Sequence, residues 1–208
     1  MKVFYFDIYG RAEAARMMLW KAGVAYEDVR VSGPTFAALK PELEYGQVPC
    51  LELDDGTKLV QTDAILAYLA ATHGFAPKDP MDCYKAQHLL SYVNEDFMTR
   101  KFYKWFQAKE EDKPAIIESL FATDVPALFA VLDKKIGAHK FIIGDTLSLV
   151  DFCVGGMIVN MVLNPNSAMK TQWEAAWATA GENLKTYVAN FQAEMKEYLD
   201  SRPTGCTM

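Results

Sequence analysis

Cysteine is scarce in this sequence of 208 residues. Cys50, Cys83, Cys153 and Cys206 stand far apart and form no Cys-x-x-Cys pair, and none clusters with His73, His88 or His139. A zinc site and a dithiol redox motif are thereby disfavoured, and the reduced thiols of a cytoplasmic protein are the expectation. Basic charge is short as well. Lysine and arginine number 21 against 27 acidic residues, a net charge of −6, which argues against nucleic acid or an anionic membrane as the main partner. Long apolar runs are missing. Val3–Phe6 is cut by Asp7, so no signal-peptide pattern forms, and the run Phe152–Val159 is far too short to span a bilayer. No repeat or low-complexity segment is present. What remains is 51% hydrophobic and 23% charged, an ordinary balance for a globular protein of one large or two small domains.

The pattern changes along the chain. Lys2–Phe6 reads as a β-branched and aromatic strand, and a helix follows from about Ala12 to Ala22, stopped by Gly23. Tyr26–Val31 reads as a second strand, so the first part suggests a βαβ unit with a parallel pair. Cys50–Leu53 and Lys58–Gln61 form a hairpin around Asp55-Gly56. A helix then runs from Thr62, read as its N-cap, to Thr72. Gly74-Phe-Ala-Pro-Lys-Asp-Pro80 reads as a linker. Beyond it long helical patterns dominate, from Met81 to Lys109 and from Pro114 to Ile136, with Pro126 as a kink or restart. Ser148-Leu-Val-Asp151 is a capping box, with Leu147 and Phe152 as its staple. The helix it opens is apolar all round to about Leu163, which marks it as buried core. Two more helices fit Thr171–Ala180 and Glu182–Ser201.

Two segments carry the chemistry. Gly46-Gln47-Val48-Pro49 places a proline at a strand start and pushes Val48 into extended backbone, an edge able to pair with an extended peptide. Gln61-Thr62-Asp63-Ala64-Ile65 opens a helix whose free N–H groups suit a carboxylate. Together they describe a surface for a small acidic peptide. Taken alone, the same residues read first as a plain hairpin and helix start of an ordinary α/β domain.

The whole chain resembles the cytosolic glutathione S-transferases of tyrosine type, with sigma the nearest class. The resemblance rests on Tyr5-Phe6, on Gly10-Arg11-Ala12-Glu13-Ala14-Ala15-Arg16, on Tyr26-Glu27-Asp28, on the two segments above and on the Ser148–Asp151 box, all in family order. It implies an α/β plus all-α fold. A thioredoxin-like domain (βαβαββα) over residues 1–74 is followed by a linker over 75–81 and an all-helical domain over 82–208. It implies glutathione as co-substrate, no required metal, conjugation of the glutathione thiolate to hydrophobic electrophiles, and a homodimer.

Roles follow residue by residue from that resemblance. Tyr5 would hold the thiolate by its phenol O–H, with Tyr9 as the rival phenol, and Arg11 would add positive field. Val48 would pair with the cysteinyl unit, with Pro49 in a cis bond. Gln61 and Thr62 would take the γ-glutamyl carboxylate, Lys40 the glycyl carboxylate, and Gln47 would assist. Phe36 stands where relatives often carry tryptophan, so it offers a wall and no indole N–H. Asp96, given by a second subunit, would meet the ligand's ammonium group. Ile8, Tyr9, Met98, Phe102 and Trp105 would line the electrophile pocket. Two other readings keep the fold: a glutathione-dependent isomerase of the prostaglandin D synthase type, and a non-catalytic crystallin-like or ligand-carrier protein.

Overall fold

The computed structural model describes residues 1–206. Strand β1 (Lys2–Phe6) is followed by one 3-10 turn (Gly10–Ala12) and helix α1 (Glu13–Lys21), then β2 (Glu27–Val31). Helix α2 (Gly33–Leu39), the hairpin β3 (Cys50–Glu52) and β4 (Lys58–Val60), and α3 (Thr62–His73) complete the first half. The sheet order is β2-β1-β3-β4, with β1 parallel to β2 and antiparallel to β3. This is a thioredoxin-like domain. Helix α2 gives the one element that the residue pattern alone missed. Ser32 caps it by exchanging bonds with Thr35, and a proline fills its first turn.

The second half is helical: α4 (Pro80–Ser91), α5 (Lys104–Gln107), α6 (Lys113–Ser119), α7 (Val125–Ile136), α8 (Leu149–Met157), α9 (Lys170–Ala178), α10 (Glu182–Glu194) and α11 (Lys196–Ser201). Wider π-type turns run through it at Tyr92–Phe102, Leu120–Asp124 and Ile158–Val162. The second of these leads into the turn holding Pro126. Proline lacks an N–H and crowds the preceding carbonyls, so a locally widened helix carries on through it without breaking.

One expectation about length is corrected. The combined helix Lys113–Ile136 is long and apolar enough, by length and composition only, to cross a bilayer. Here its Leu120, Val125, Leu128, Phe129, Leu132 and Ile136 turn into the core. Small residues such as Ala122, Ala127 and Ala130 make up much of its exposed side.

Helix α8 is the central pillar. Every residue from Leu149 to Gly156 is buried. Asp151 is fully enclosed and accepts from the Ser148 N–H (2.8 Å), the Ser148 hydroxyl (2.8 Å) and the Ile142 N–H (2.9 Å). Burial pushes its carboxyl above the usual carboxylate range, against those donors. Gly155 lets α10 approach, since a Cβ there would meet the Phe191 ring at 2.6 Å.

The halves are joined around α8, which packs on α1 and α3. The Leu149 N–H donates to the Phe75 carbonyl (3.0 Å), and the Phe75 and Phe152 rings meet edge to face at 4.9 Å. A buried charge network adds to this. Glu13 and Arg16 are each 1% exposed and pair at 3.1 Å. Arg16 also binds Asp28 (2.8 Å), while Arg202 reaches Glu13 (2.8 Å) and Asn160 (2.5 Å). Removing one partner of such a network strands a charge in the interior, which costs more than the intact set contributes.

Candidate functional site

Strand pairing sets the site. In the antiparallel registers Phe4 faces Cys50, and Cys50 faces Val60. Continued one step beyond the paired residues, the same registers would set Tyr5 opposite Pro49 and Pro49 opposite Gln61. The phenol, the strand entry and the start of α3 thus share one row at one end of the sheet. The Val48–Pro49 bond is cis.

Tyr5 is 7% exposed. Its hydroxyl accepts the Arg11 backbone N–H at 3.2 Å, which leaves the phenol proton free to donate. Burial raises the phenol above its ordinary value of 10.0, and the Arg11 N–H opposes that rise. The group is therefore a neutral donor throughout the physiological range.

Gly10 seals the arrangement. Its φ is +46°, and a Cβ would lie 2.6 Å from the Tyr5 ring and 2.8 Å from its oxygen. Gly10→Ala is expected to cost roughly 1–2 kcal/mol of stability from backbone strain alone. It should also displace the hydroxyl, so turnover falls further than the melting temperature implies. Unchanged turnover with a lowered melting temperature would separate Gly10 from the phenol's position.

Gln61 is the actual N-cap of α3, and Thr62 is the first helical residue rather than the cap expected. Gln61 adopts φ 73°, left-handed for a non-glycine residue, and such strain concentrates at ligand-binding positions. Its carbonyl still accepts the Ile65 N–H at 2.9 Å, so the first N–H groups of α3 stay open to a ligand.

Gly10, Arg11, Gln61 and Thr62 border a cleft of about 150 Å³ between α1, α3, the π-type turn after α4, and α8, whereas Tyr5, Val48 and Pro49 are not among its lining residues. Arg11, whose N–H bonds the Tyr5 hydroxyl, lines it together with Gly10, Gln61, Thr62 and Met98. Arg11 is held in place by Thr99 (3.1 Å) and by Tyr103, whose oxygen accepts from Nε at 3.4 Å and whose ring lies 4.9 Å from the guanidinium. Cys153 also lines the cleft. Burial pushes its thiol up to about 12, which keeps it protonated and out of nucleophilic chemistry at neutral pH. Among the described residues no three His, Cys, Asp or Glu gather into a metal-holding group.

Several expected residues lie elsewhere. Tyr9 is buried, donates to the Pro203 carbonyl (2.6 Å) and packs under Arg202, so it is fixed to the chain's last segment and is no rival to Tyr5. The Ile8 carbonyl accepts from Arg16 and Arg30 behind α1, and Ile8 does not line the cleft. Phe102 is core, packed among Phe97, Phe106 and Trp173. Trp105 lies against Phe106, outside the cleft lining. Tyr103 takes the position expected of that pair. The reason is helix pitch: the Tyr103 N–H bonds the Met98 carbonyl, five residues back, at 2.8 Å. Widened turns bring 98 and 103 to the cleft, whereas ordinary α-spacing would put 98, 102 and 105 on one face.

Asp96, expected to act in a partner subunit's site, is half-exposed and pairs with Arg100 at 3.0 Å within this chain, and its neighbours Asn94 and Glu95 line the cleft. Lys40 lies along Gly46 and, like Gln47, is exposed; neither lines the cleft. Phe36 packs edge-on to Phe6 at 5.2 Å and does not line the cleft.

Comparison with known proteins agrees with this arrangement. A glutathione S-transferase N-terminal domain model matches residues 1–71, and a glutathione S-transferase C-terminal domain model matches residues 95–202. The chain belongs to the glutathione S-transferase family. Hematopoietic prostaglandin D synthase of Gallus gallus is 32% identical over 151 residues, 73% of this chain and 74% of that one. Glutathione S-transferase P of Caenorhabditis elegans is 29% identical over 168 residues, 80% of each. The crystal structure of the glutathione S-transferase from Ascaris lumbricoides superimposes with a TM-score of 0.81 at 26% identity, covering 97% of both chains.

Proposed function

We propose that this glutathione transferase is of tyrosine type, nearest to the sigma class, and that it conjugates glutathione to apolar electrophiles using Tyr5. The observation that carries the reading is the Tyr5 hydroxyl, oriented by the Arg11 N–H with its own proton unspent, in one row with Pro49 and Gln61. A free thiol of pKa near 8.5 is only a few per cent thiolate at neutral pH. A neutral phenol donating to the sulfur stabilises the anion, and Arg11 adds positive field. Thr62 and Gln61 take the γ-glutamyl carboxylate at the α3 N-terminus, Val48 pairs with the cysteinyl backbone, and Lys40 and Gln47 meet the glycyl end. Met98 and Tyr103 face the electrophile. We also propose domain limits at 1–74 and 82–208, a homodimer, and a cytoplasmic location.

The test is a panel of electrophiles, chlorodinitrobenzene and enones among them, incubated with glutathione and the protein. Catalysed thioether formation is expected. Binding of glutathione with no conjugation of any member would favour the carrier reading and remove the transferase assignment.

A second reading has a specific support, the 32% identity to a prostaglandin D synthase. It differs in outcome: an endoperoxide substrate would be isomerised with glutathione regenerated. Product analysis with and without glutathione separates the two.

A further inference from the structure

We infer that Arg202 and Pro203, in the segment that follows α11, are positioning residues for the Tyr5 hydroxyl: from behind, they hold the loop that supplies its Arg11 N–H. This deepens the proposal that Tyr5 stabilises the thiolate of bound glutathione, and rests on it.

The loop needs a holder. Asp7, Ile8 and Tyr9 lie between β1 and the 3-10 turn and belong to neither. The Arg11 N–H that follows meets the Tyr5 oxygen at 3.2 Å, the long end of the range for such bonds. A shift of a few tenths of an ångström in the loop would lose it.

Two routes run from the last segment to this loop. The first passes through α1. Arg16 Nη1 donates to the Ile8 carbonyl (3.1 Å) and the Tyr9 carbonyl (3.2 Å), and its guanidinium lies 5.9 Å from the centre of the Tyr5 ring. Asp28 takes Arg16 Nε at 2.8 Å, and Glu13 Oε2 takes Nη1 at 3.1 Å. The other oxygen of Glu13 accepts from Arg202 (2.8 Å) and from the Tyr198 hydroxyl (2.9 Å). The second route is direct. The Tyr9 hydroxyl donates to the Pro203 carbonyl at 2.6 Å, and the Arg202 guanidinium lies 4.0 Å over the Tyr9 ring.

The segment is itself anchored by polar bonds. Asn166 Nδ2 donates to the Thr204 carbonyl (2.6 Å) and Asn164 Nδ2 to the Cys206 carbonyl (3.1 Å). Pro203, Thr204 and Gly205 are exposed, so little apolar burial holds these three residues. Arg202 also donates to Asn160, which lines the cleft. One guanidinium thereby ties α1 to the widened turn after α8, behind the cleft that both border.

The experiment is a double-mutant cycle on wild type, Arg202→Met, Tyr5→Phe and the double variant. Methionine keeps an unbranched stem and removes the guanidinium. In each glutathione complex the ultraviolet absorbance of the thiolate is titrated with pH, and kcat, glutathione affinity and melting temperature are recorded. Arg202→Met is expected to raise the midpoint of thiol ionisation by about half a pH unit and to lower kcat about three- to tenfold, with affinity within about twofold. Arg202→Lys, which keeps a cation for Glu13, should recover part of the shift. In the Tyr5→Phe background Arg202→Met should leave the midpoint where it is, because groups that act through one another are not additive. A midpoint unmoved by Arg202→Met, or moved equally in both backgrounds, overturns the inference, whatever the melting temperature does. If Tyr5→Phe alone leaves the midpoint unmoved, the phenol's role fails first and this inference with it. Should Arg202→Met not fold, Tyr9→Phe, which removes the bond to Pro203 alone, is read by the same criteria.

Discussion

Tyr5→Phe is expected to lower the turnover of conjugation by roughly 10- to 100-fold while changing glutathione affinity less than threefold, the range set by one hydrogen bond to a charged group. The phenol gains its partner only when the sulfur is ionised, so the loss falls on the thiolate and not on the peptide's binding. Its sign with pH follows. In the wild type the thiol of bound glutathione should ionise below its free value near 8.5, and in the variant that midpoint should move back up. The phenol itself, raised by burial, stays protonated across this window and adds no second inflection. The ultraviolet absorbance of the thiolate in the binary complex, titrated from pH 5 to 10, reads the shift directly. An unmoved midpoint would remove Tyr5 from the mechanism, whatever happened to turnover.

The second large effect is on stability. Asp151→Ala removes the acceptor for the Ser148 N–H, the Ser148 hydroxyl and the Ile142 N–H, all in a buried setting. Leaving two buried N–H groups unpaired costs about 1–3 kcal/mol each, and the lost cap adds to that. A total loss of roughly 3–5 kcal/mol is expected, lowering the melting temperature by about 6–20 °C for a chain of this size. Asp151→Asn keeps one acceptor and should recover part of the loss. Because α8 carries the contacts to α1 and α3, glutathione turnover should fall along with stability and return as ligand is added. A melting temperature within 2 °C of wild type would show that the box is dispensable.

The parts legible in the sequence are those decided locally. β1 and the Asp55-Gly56 hairpin follow from alternation and turn chemistry, and the Ser148–Asp151 box from its spacing. Helix α2 carried its own signal, Ser32 with Pro34 and Thr35, but seven residues are too few to show an apolar period. Tyr9 could not be placed from sequence, because its partner Pro203 is 194 residues away. The substitution of Tyr103 for Phe102 and Trp105 was equally hidden. Tertiary packing, not residue preference, decides where a helix widens, and one widened turn rotates everything after it. Asp63 was in plain view beside Thr62, yet its bond to Asn94, 31 residues on, shows only in the fold.

The row formed by Tyr5, Pro49 and Gln61 has a metric consequence. Tyr5 belongs to β1 and Gln61 closes β4, with β3 between them, so two inter-strand steps separate the phenol from the head of α3. At about 4.8 Å per step that is about 10 Å, the length of three residues of extended chain. In the proposed binding mode the sheet thus measures, by counting strands, the reach from the peptide's sulfur to its γ-glutamyl carboxylate. A slip of one residue in any ladder would turn Tyr5 to the opposite face and abolish the measurement altogether.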